Sequence, residues 1–258
     1  MLEKCPLCNS SIKRYFRSTE FFQCSACKLI FRGNSSDQDV ILNIYQKSWL
    51  LPEKNTLETG GTNPELARIY TNLLLRTLNK SSLDGLAILD FGAGRGTFSD
   101  SMSENGAQVF LYEPFGYDYL ARKGYRVIRD FSEIKPDLLF DGIVSVDVLE
   151  HLEKPWEDLQ KLTAHVKPNG WLFLATVNSS SLNSIIRKHN WRELQNPSHL
   201  VMFNHHNLES MFMKINLKRF QRLKWKVNYH RFFIRQWLIY LQQMLGLDGE
   251  LRYFIRVE

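Results

Sequence analysis

Four cysteines and a handful of acidic, histidine and glycine residues carry whatever chemistry this 258-residue chain performs. Cys5, Cys8, Cys24 and Cys27 form C-x2-C-x15-C-x2-C. Two knuckles at that spacing close a tetrahedral thiolate site of the structural zinc kind and leave no coordination position open for catalysis; an iron centre is the other occupant such a set accepts. All four lie within the first 27 residues, which suits a metal site in a reducing compartment better than a disulfide framework. Between the knuckles, KRYFRSTEFFQ predicts a hairpin too small to hold itself together without the metal. Its Arg14, Tyr15, Phe16, Arg17, Phe21 and Phe22 have two readings. They can stack bases and meet phosphates, or they can be the packing that seats the module on a larger domain.

A second group sits in LDFGAGRGTF, where Asp90, Gly92, Gly94 and Gly96 follow a strand pattern and precede a helix pattern. Missing β-carbons let the backbone turn sharply and approach a ligand, and the helix start offers free amide N–H groups. The spacing is G-x-G-x-G rather than G-x-G-x-x-G, and no Lys-Ser or Lys-Thr follows, so dinucleotide and P-loop readings fail. The next strand ends at Glu113, 21 residues after Gly92 and placed to accept both hydroxyls of a ribose. A nucleoside without phosphates needs that carboxylate more than an anion cradle, and S-adenosylmethionine is a ligand of this kind.

Asp130 with Phe131 follows the third strand pattern, and Asp147 stands where the fourth strand opens. Asp90, Asp130 and Asp147 can equally be capping residues. His151, just after the fourth strand, and His199, in NPSHLVMFNHH, are the candidate bases if the reaction must remove a proton; a hydrogen bond to a backbone turn is the other reading of His151. His205 and His206 read as cap or surface residues. No H-x-x-x-H or H-E-x-x-H occurs, so the spacing by itself does not support a catalytic metal.

These residues need a scaffold that brings strand ends together. AILDF, VFLYEP, YRVIRD, FDGIVSVDV and WLFLATVN alternate with GTFSDSMSENG, YDYLARKG and WEDLQKLTAHVKPNG, the last expected to be a helix stopped by Pro168 and Gly170. This strand–helix rhythm predicts a parallel sheet covered on both faces, with ligands beyond the carboxyl ends of its strands. Upstream, VILNIYQKSWLL reads as a short helix and ELARIYTNLLLRTLNKS as an amphipathic one; downstream come a helix in NHHNLESMFMKI, a strand in FQRLKWKV, a helix in RFFIRQWLIYLQQMLG and a strand in LRYFIRV. Phe233, Trp237, Leu241 and Met244 form a stripe on the last helix, flanked by Arg231 and Arg235, which reads as core, pocket lid, or a contact with a membrane or lipid-like substrate.

The 44% apolar and 23% charged composition is that of a globular protein. Lys4, Cys5 and Pro6 stand where a signal peptide's apolar core would begin, and apolar runs are too short for a membrane span, so a cytoplasmic location is expected. Residues 181–258 carry 13 basic and 5 acidic side chains against 9 and 15 in residues 81–180. Such a tail can meet phosphates or an anionic membrane surface, or be a solvated face.

ILDFGAGRG, Glu113, RVIRD and DGIVSVDVLEHLEKP together resemble the class I S-adenosylmethionine-dependent methyltransferases, in particular the small-molecule branch similar to ubiquinone-biosynthesis O-methyltransferases, over residues 66–258. The CPLC…CSAC opening, followed by CKLIF and Tyr45, is similar to the zinc ribbon that starts some sugar C-methyltransferases. The resemblance implies a Rossmann-like α/β fold with a seven-stranded mixed sheet, LRYFIRV being the antiparallel seventh strand, behind a small zinc ribbon. It implies a ribbon over residues 1–35, a linker and lid helices over 36–80 and the cofactor domain over 81–258. Gly92, Gly94 and Gly96 would wrap the methionine end of the cofactor, Glu113 would hold the ribose, Asp130 and Phe131 would border adenine, and Asp90 would orient the loop or reach the cofactor's amino group through water. Methyl transfer to a sugar, quinone-like or lipid-linked acceptor is the implied activity. RNA or protein methylation, using the ribbon and the basic C-terminal region, is the alternative; the chain lacks the N/D-P-P-Y/F motif of amino-group methylases and has DVLEHL at that place.

Overall fold

The computed structural model describes residues 4–16, 18, 20–33, 46, 47, 49, 63–224 and 233–258. The strands β1 (Ile12–Arg14), β2 (Phe21–Cys24) and β3 (Ile30–Arg32) belong to the cysteine segment. The strands β4 (Ala87–Phe91), β5 (Gln108–Tyr112), β6 (Arg126–Ile128), β7 (Phe140–Val146), β8 (Val166–Val177), β10 (Arg219–Arg222) and β11 (Glu250–Arg256) form one seven-stranded sheet in the order β10-β11-β8-β7-β4-β5-β6. Five strands run parallel; β11 pairs antiparallel with β8 and β10. The expected mixed sheet, with LRYFIRV as its antiparallel member, is therefore present.

Local chemistry explains the flanking helices. The first, α1 (Pro64–Leu78), starts on Asn63, whose side chain accepts from the Leu66 N–H at 2.8 Å, and ends on Asn79 in the left-handed conformation. Its buried face holds Ala67, Tyr70, Thr71 and Leu74, while Ile69 of the expected stripe faces solvent. The helices α2 (Thr97–Glu104), α3 (Tyr117–Arg122) and α4 (Pro155–Thr163) are the crossover connections of the parallel strands. One boundary differs from expectation. The segment VKPNG continues no helix: α4 stops at Thr163, and residues 166–170 already belong to β8. The β7–β8 register slips between Phe140↔Val166 and Gly142↔Trp171, so a bulge takes up Pro168 and the positive φ of Asn169.

Past β8 the chain makes α5 (Leu182–Arg187), α6 (Arg192–Gln195), a two-residue strand β9 (Val201–Met202) and α7 (His205–Lys214), which Asn204 and Asn207 close with a reciprocal capping box. The cysteine strands pair in sequence, and β3 then pairs antiparallel with β9, Ile30 opposite Met202 and Phe31 opposite Val201. The cysteine module is thus completed by a strand from the large domain. Phe21 and Tyr15 are buried and Phe22 half-buried, whereas Phe16 and Arg14 are exposed. Tyr45, Arg17, Arg231 and most of the linker lie outside the described residues.

The helix α8 (Phe233–Leu245) departs from the core reading. Trp237, Leu241 and Met244 of the expected stripe are exposed, as are Leu238 and Leu245, while Gln243 is the buried position. The side chains of Phe233 and Arg235 are outside the described set. Among the described residues no helix is long and apolar enough to cross a membrane.

An ion network fastens β11. Arg252, 1% exposed, donates to Asp248 at 2.6 Å and Glu250 at 2.8 Å; Arg222 also pairs with Asp248, and the Tyr70 hydroxyl donates to Glu250. Removing one member leaves the others charged and desolvated. Arg252→Met is expected to cost about 3–5 kcal/mol in a urea titration; an unchanged midpoint would show that the network is not holding the strand.

Candidate active site

The carboxyl ends of β4, β5, β7 and β8 meet along one edge, and the singled-out residues divide there into two groups. On the first side the chain leaves β4 into the glycine loop. Gly92 has φ +79°, and a β-carbon on it would lie 2.4 Å from Val148 Cγ2. Gly94 has φ +53°, and a β-carbon there would meet nothing within 4 Å. Gly92 is bare because protein packs against it; Gly94 is bare at the edge of an open space. The Gly92 N–H donates to the Tyr112 carbonyl at 2.9 Å, tying the loop to the end of β5.

Glu113 is the next residue, and it is buried. One carboxylate oxygen accepts from the Gly94 N–H at 3.0 Å and the other from the Phe115 N–H at 3.1 Å. Burial raises its pKa and these backbone bonds oppose the rise. The Gly116 N–H also bonds this carboxylate, which with about four acceptor sites still has room for a ligand hydroxyl. Asp90 is buried behind the loop and accepts from the Ser99 hydroxyl at 2.6 Å, with burial pushing its carboxyl up to about 7. Asp130 is exposed and caps the 3-10 turn at Phe131–Glu133, accepting from the Ser132 N–H at 2.8 Å. Phe131 packs edge-on against Tyr112, ring centroids 6.2 Å apart. The structure therefore joins Glu113 directly to the loop and gives Asp130 a capping contact.

Sequence reasoning passed over Arg95 and Trp49. The buried Arg95 guanidinium lies 5.1 Å from the Trp49 ring centroid and 5.5 Å from that of Tyr119, which brings the linker across the glycine loop. No periodicity links positions 49 and 95, so only the composition of the two segments could have hinted at the contact.

The second group lies where β7 and β8 end. Asp147 has φ +54° and donates its N–H to the Ala175 carbonyl at 3.0 Å. Its side chain is exposed, and surrounding protein together with the charges of Glu250 and Glu193 raises its carboxyl to about 7. Glu150 is 1% exposed, takes a 2.8 Å hydrogen bond from the Thr176 hydroxyl, and is pushed well up by burial and by Asp147.

Beside it, His151 Nδ1 donates to the Ser198 carbonyl at 3.0 Å in the tautomer that leaves Nε2 its lone pair. The His199 ring stands 4.7 Å away centroid to centroid, and its Nδ1 is 3.6 Å from Glu193 Oε2, beyond hydrogen-bonding distance. Burial lowers His151 to about 4 and, with His151 as neighbour, His199 to about 3. Ligand atoms of Glu150, His151 and His199 all lie within 4.8 Å of one another. The two candidate bases thus meet, joined by Glu150, which sequence reasoning had not ranked with them; the adjacent Glu150–His151 pair hid a cluster that His199 completes from 48 residues away. His205 and His206 start α7 outside this cluster.

The cysteine sulfurs form a separate group. Cys5 and Cys27 are 3.7 Å apart and Cys8 and Cys24 3.4 Å, with all four sulfurs within 4.8 Å. Tetrahedral thiolates at about 2.3 Å from zinc stand roughly 3.8 Å from one another, so the set fits such an ion.

Known proteins share this architecture. A solved S-adenosylmethionine-dependent methyltransferase from Archaeoglobus fulgidus superposes with TM-score 0.57 at 17% identity, covering 80% of this chain and 100% of that one. The 1,6-didemethyltoxoflavin-N1-methyltransferase of Burkholderia thailandensis gives TM-score 0.57 at 14% identity, covering 92% and 98%. At these identities the likeness is one of fold. The ubiquinone biosynthesis O-methyltransferase of Leptothrix cholodnii is 30% identical over 148 residues, 50% of this chain and 58% of that protein, so the match spans less than two thirds of the relative's length. Residues 63–221, more than half of the chain and the span that carries the glycine loop, Glu113 and the Glu150–His151–His199 cluster, match the model of the family described as methyltransferase domain, and the chain belongs to that family.

Proposed function

We propose that the chain transfers a methyl group from S-adenosylmethionine to a hydroxyl of a small acceptor, with a divalent cation held by Glu150, His151 and His199 beside the acceptor. The observation that carries this reading is the convergence of those three ligand groups at the strand edge shared with the glycine loop. S-adenosylmethionine supplies an electrophilic methyl on sulfur: the acceptor oxygen forms the new C–O bond, and the C–S electron pair leaves with the sulfur. On the cofactor side, Gly94 leaves room for the methionine end and Glu113 accepts the ribose hydroxyls, with Asp130 and Phe131 at the adenine edge and Asp90 bracing Ser99 below the loop. Structural zinc in the cysteine module is part of the same reading, and unpaired thiols suit a cytoplasmic setting.

On the acceptor side, two neutral imidazoles and Glu150, which would release its proton on binding, make the donor set of a borderline divalent cation. Two histidines whose buried rings resist protonation are poor proton acceptors at neutral pH but good ligands, which favours holding a cation over acting as bases. A bound cation lowers the pKa of a coordinated hydroxyl and fixes its oxygen for in-line attack. Asp147, at the end of β7 three residues before Glu150, would take the released proton.

An apolar acceptor, quinone-like or lipid-linked, is favoured over a sugar by the exposed side chains of α8. The Asn178 amide at the end of β8 donates to the Gly246 and Asp248 carbonyls at 2.9 and 2.8 Å, which fastens the C-terminal end of that helix near the acceptor side. Nucleic acid is disfavoured because Phe21 packs inward, its ring 4.4 Å from the Arg32 guanidinium, instead of offering a face to a base.

Labelled S-adenosylmethionine offered with a catechol bearing a prenyl tail, with a sugar and with RNA is expected to label the catechol oxygen. Stripping divalent cations should abolish the reaction and added Mn2+ or Fe2+ should restore it, while Glu150→Gln should lower the rate at least a hundredfold with cofactor affinity unchanged. Transfer that survives chelation sinks the cation, and label on RNA alone sinks the small-molecule reading. On the cofactor side, Gly94→Ala is expected to weaken cofactor binding tenfold or more by calorimetry while costing only about 1–2 kcal/mol of stability from its positive φ. Glu113→Gln should weaken binding by roughly 10- to 100-fold, the range of one or two charge-assisted hydrogen bonds; unchanged affinity in both variants removes the cofactor assignment.

A further inference from the structure

Among the contacts that the cysteine module makes with the large domain, one side chain reaches residues 196–200, and the geometry points to Arg32 as the residue that positions His199. Arg32 ends β3, the strand paired with β9. Its backbone N–H donates to the Leu200 carbonyl at 2.8 Å, and the Leu200 N–H in turn donates to the Glu150 carbonyl at 2.7 Å. A continuous backbone bridge therefore runs from the module to the turn that carries Glu150 and His151. The side chain adds a second tie. Arg32 Nε donates to the His199 carbonyl at 3.4 Å, and a terminal nitrogen donates to the Asn196 carbonyl at 3.3 Å. The other terminal nitrogen pairs with Glu20, and the guanidinium lies over the Phe21 ring.

This side chain is 9% exposed and fully engaged, so its fork has one orientation. From the other side the His151 ring holds the Ser198 carbonyl. Residues 196–200 are thus strung between Arg32 and His151, with His199 between the Ser198 carbonyl that His151 holds and the Leu200 carbonyl that Arg32 holds.

The module itself depends on its four cysteines. Its strands are three or four residues long, too short to stand alone, and a metal on the four sulfurs would set the pitch of β3 against β9. Two further ties, Asn207 donating to the Cys27 carbonyl at 3.2 Å and Lys214 donating to the Leu7 carbonyl at 2.7 Å, anchor the knuckles on α7. These bonds all reach residues C-terminal to β8, and none of them reaches the glycine loop. Metal occupancy of the cysteines is therefore coupled through Arg32 to the acceptor side. The inference rests on the cation reading only for its metal-affinity readout.

The test uses the full chain with its zinc content measured, comparing Arg32→Gln, Arg32→Lys and a zinc-depleted sample. Three quantities are read: cofactor affinity by calorimetry, Mn2+ affinity by electron paramagnetic resonance, and the imidazole NMR signals of His199, assigned with His199→Asn. Arg32→Gln should leave cofactor affinity within twofold, and both Arg32→Gln and zinc depletion should displace or broaden the His199 signals and weaken Mn2+ binding at least tenfold. Arg32→Lys, which keeps the charge without the fork, should fall between. If wild type binds no Mn2+, the cation reading fails, and the His199 signals alone decide the role of Arg32. His199 signals in Arg32→Gln that coincide with wild type overturn the proposal, as does an equal loss of cofactor affinity in Arg32→Lys, which would mean general unfolding.

Discussion

Parallel pairing of β4 with β5 and β7 is the constraint on which the rest depends. A strand buried on both faces must satisfy its backbone groups through its two neighbours. Parallel neighbours require every crossover to begin at the same edge, so the chain must turn there repeatedly. Gly92 to Gly96, Glu113, Asp130 and Asp147 all fall at those turns, and their convergence needs no contact among their side chains to be established first. The exception to parallel order also matters. Because β11 runs antiparallel to β8, Asp248 and Glu250 arrive at the same edge from the opposite direction, and Glu250 adds its charge to the field at Asp147.

That edge has two electrical characters. Near the glycine loop, backbone N–H groups converge on a single buried carboxylate, Glu113, and compensate it. Near β7 and β8, Asp147 and Glu150 stand beside two histidines that burial keeps neutral, while the neighbouring Glu193 and Glu250 are paired with Arg192 and Arg252. The first arrangement suits a neutral polyol such as ribose; the second leaves Asp147 and Glu150 without a cationic side chain of their own among the contacts described. Thr176 and the Ser198 carbonyl hold the Glu150 and His151 side chains in place there.

The amino-terminal module illustrates how a small unit is stabilised by a larger one. Three short strands gain a fourth from the segment after His199, and burial of Leu29, Ile30 and Phe31 under residues of α7 and β9 replaces the core the module cannot build alone. The same contact that stabilises the module also fixes the approach of residues 196–200 to the catalytic edge. Stability and site geometry are thus served by one set of hydrogen bonds.

How much of this was legible beforehand follows from the range of each signal. Strand and helix periods, the glycine spacing, Glu113 and the four cysteines are encoded within about twenty residues of one another, and local pattern was enough to identify them. The end of α4 was misjudged because Pro168 and Gly170 punctuate a β-bulge as readily as a helix stop, and the partner strand decides which. The stripe on α8 looked like core because amphipathic spacing shows which side chains share a face and says nothing about what covers it. The union of His151 with His199, the seat of Arg95 against Trp49 and the β3–β9 pairing join positions tens to more than a hundred residues apart. By itself the sequence determined the class of fold, the glycine loop and the four-cysteine set, because those depend on short-range backbone geometry and residue spacing. Only the tertiary structure decided that the cysteine module and the histidines belong to one edge, because that requires the chain to close a loop of some 170 residues between β3 and β9, and nothing local in the sequence records where such a loop comes to rest.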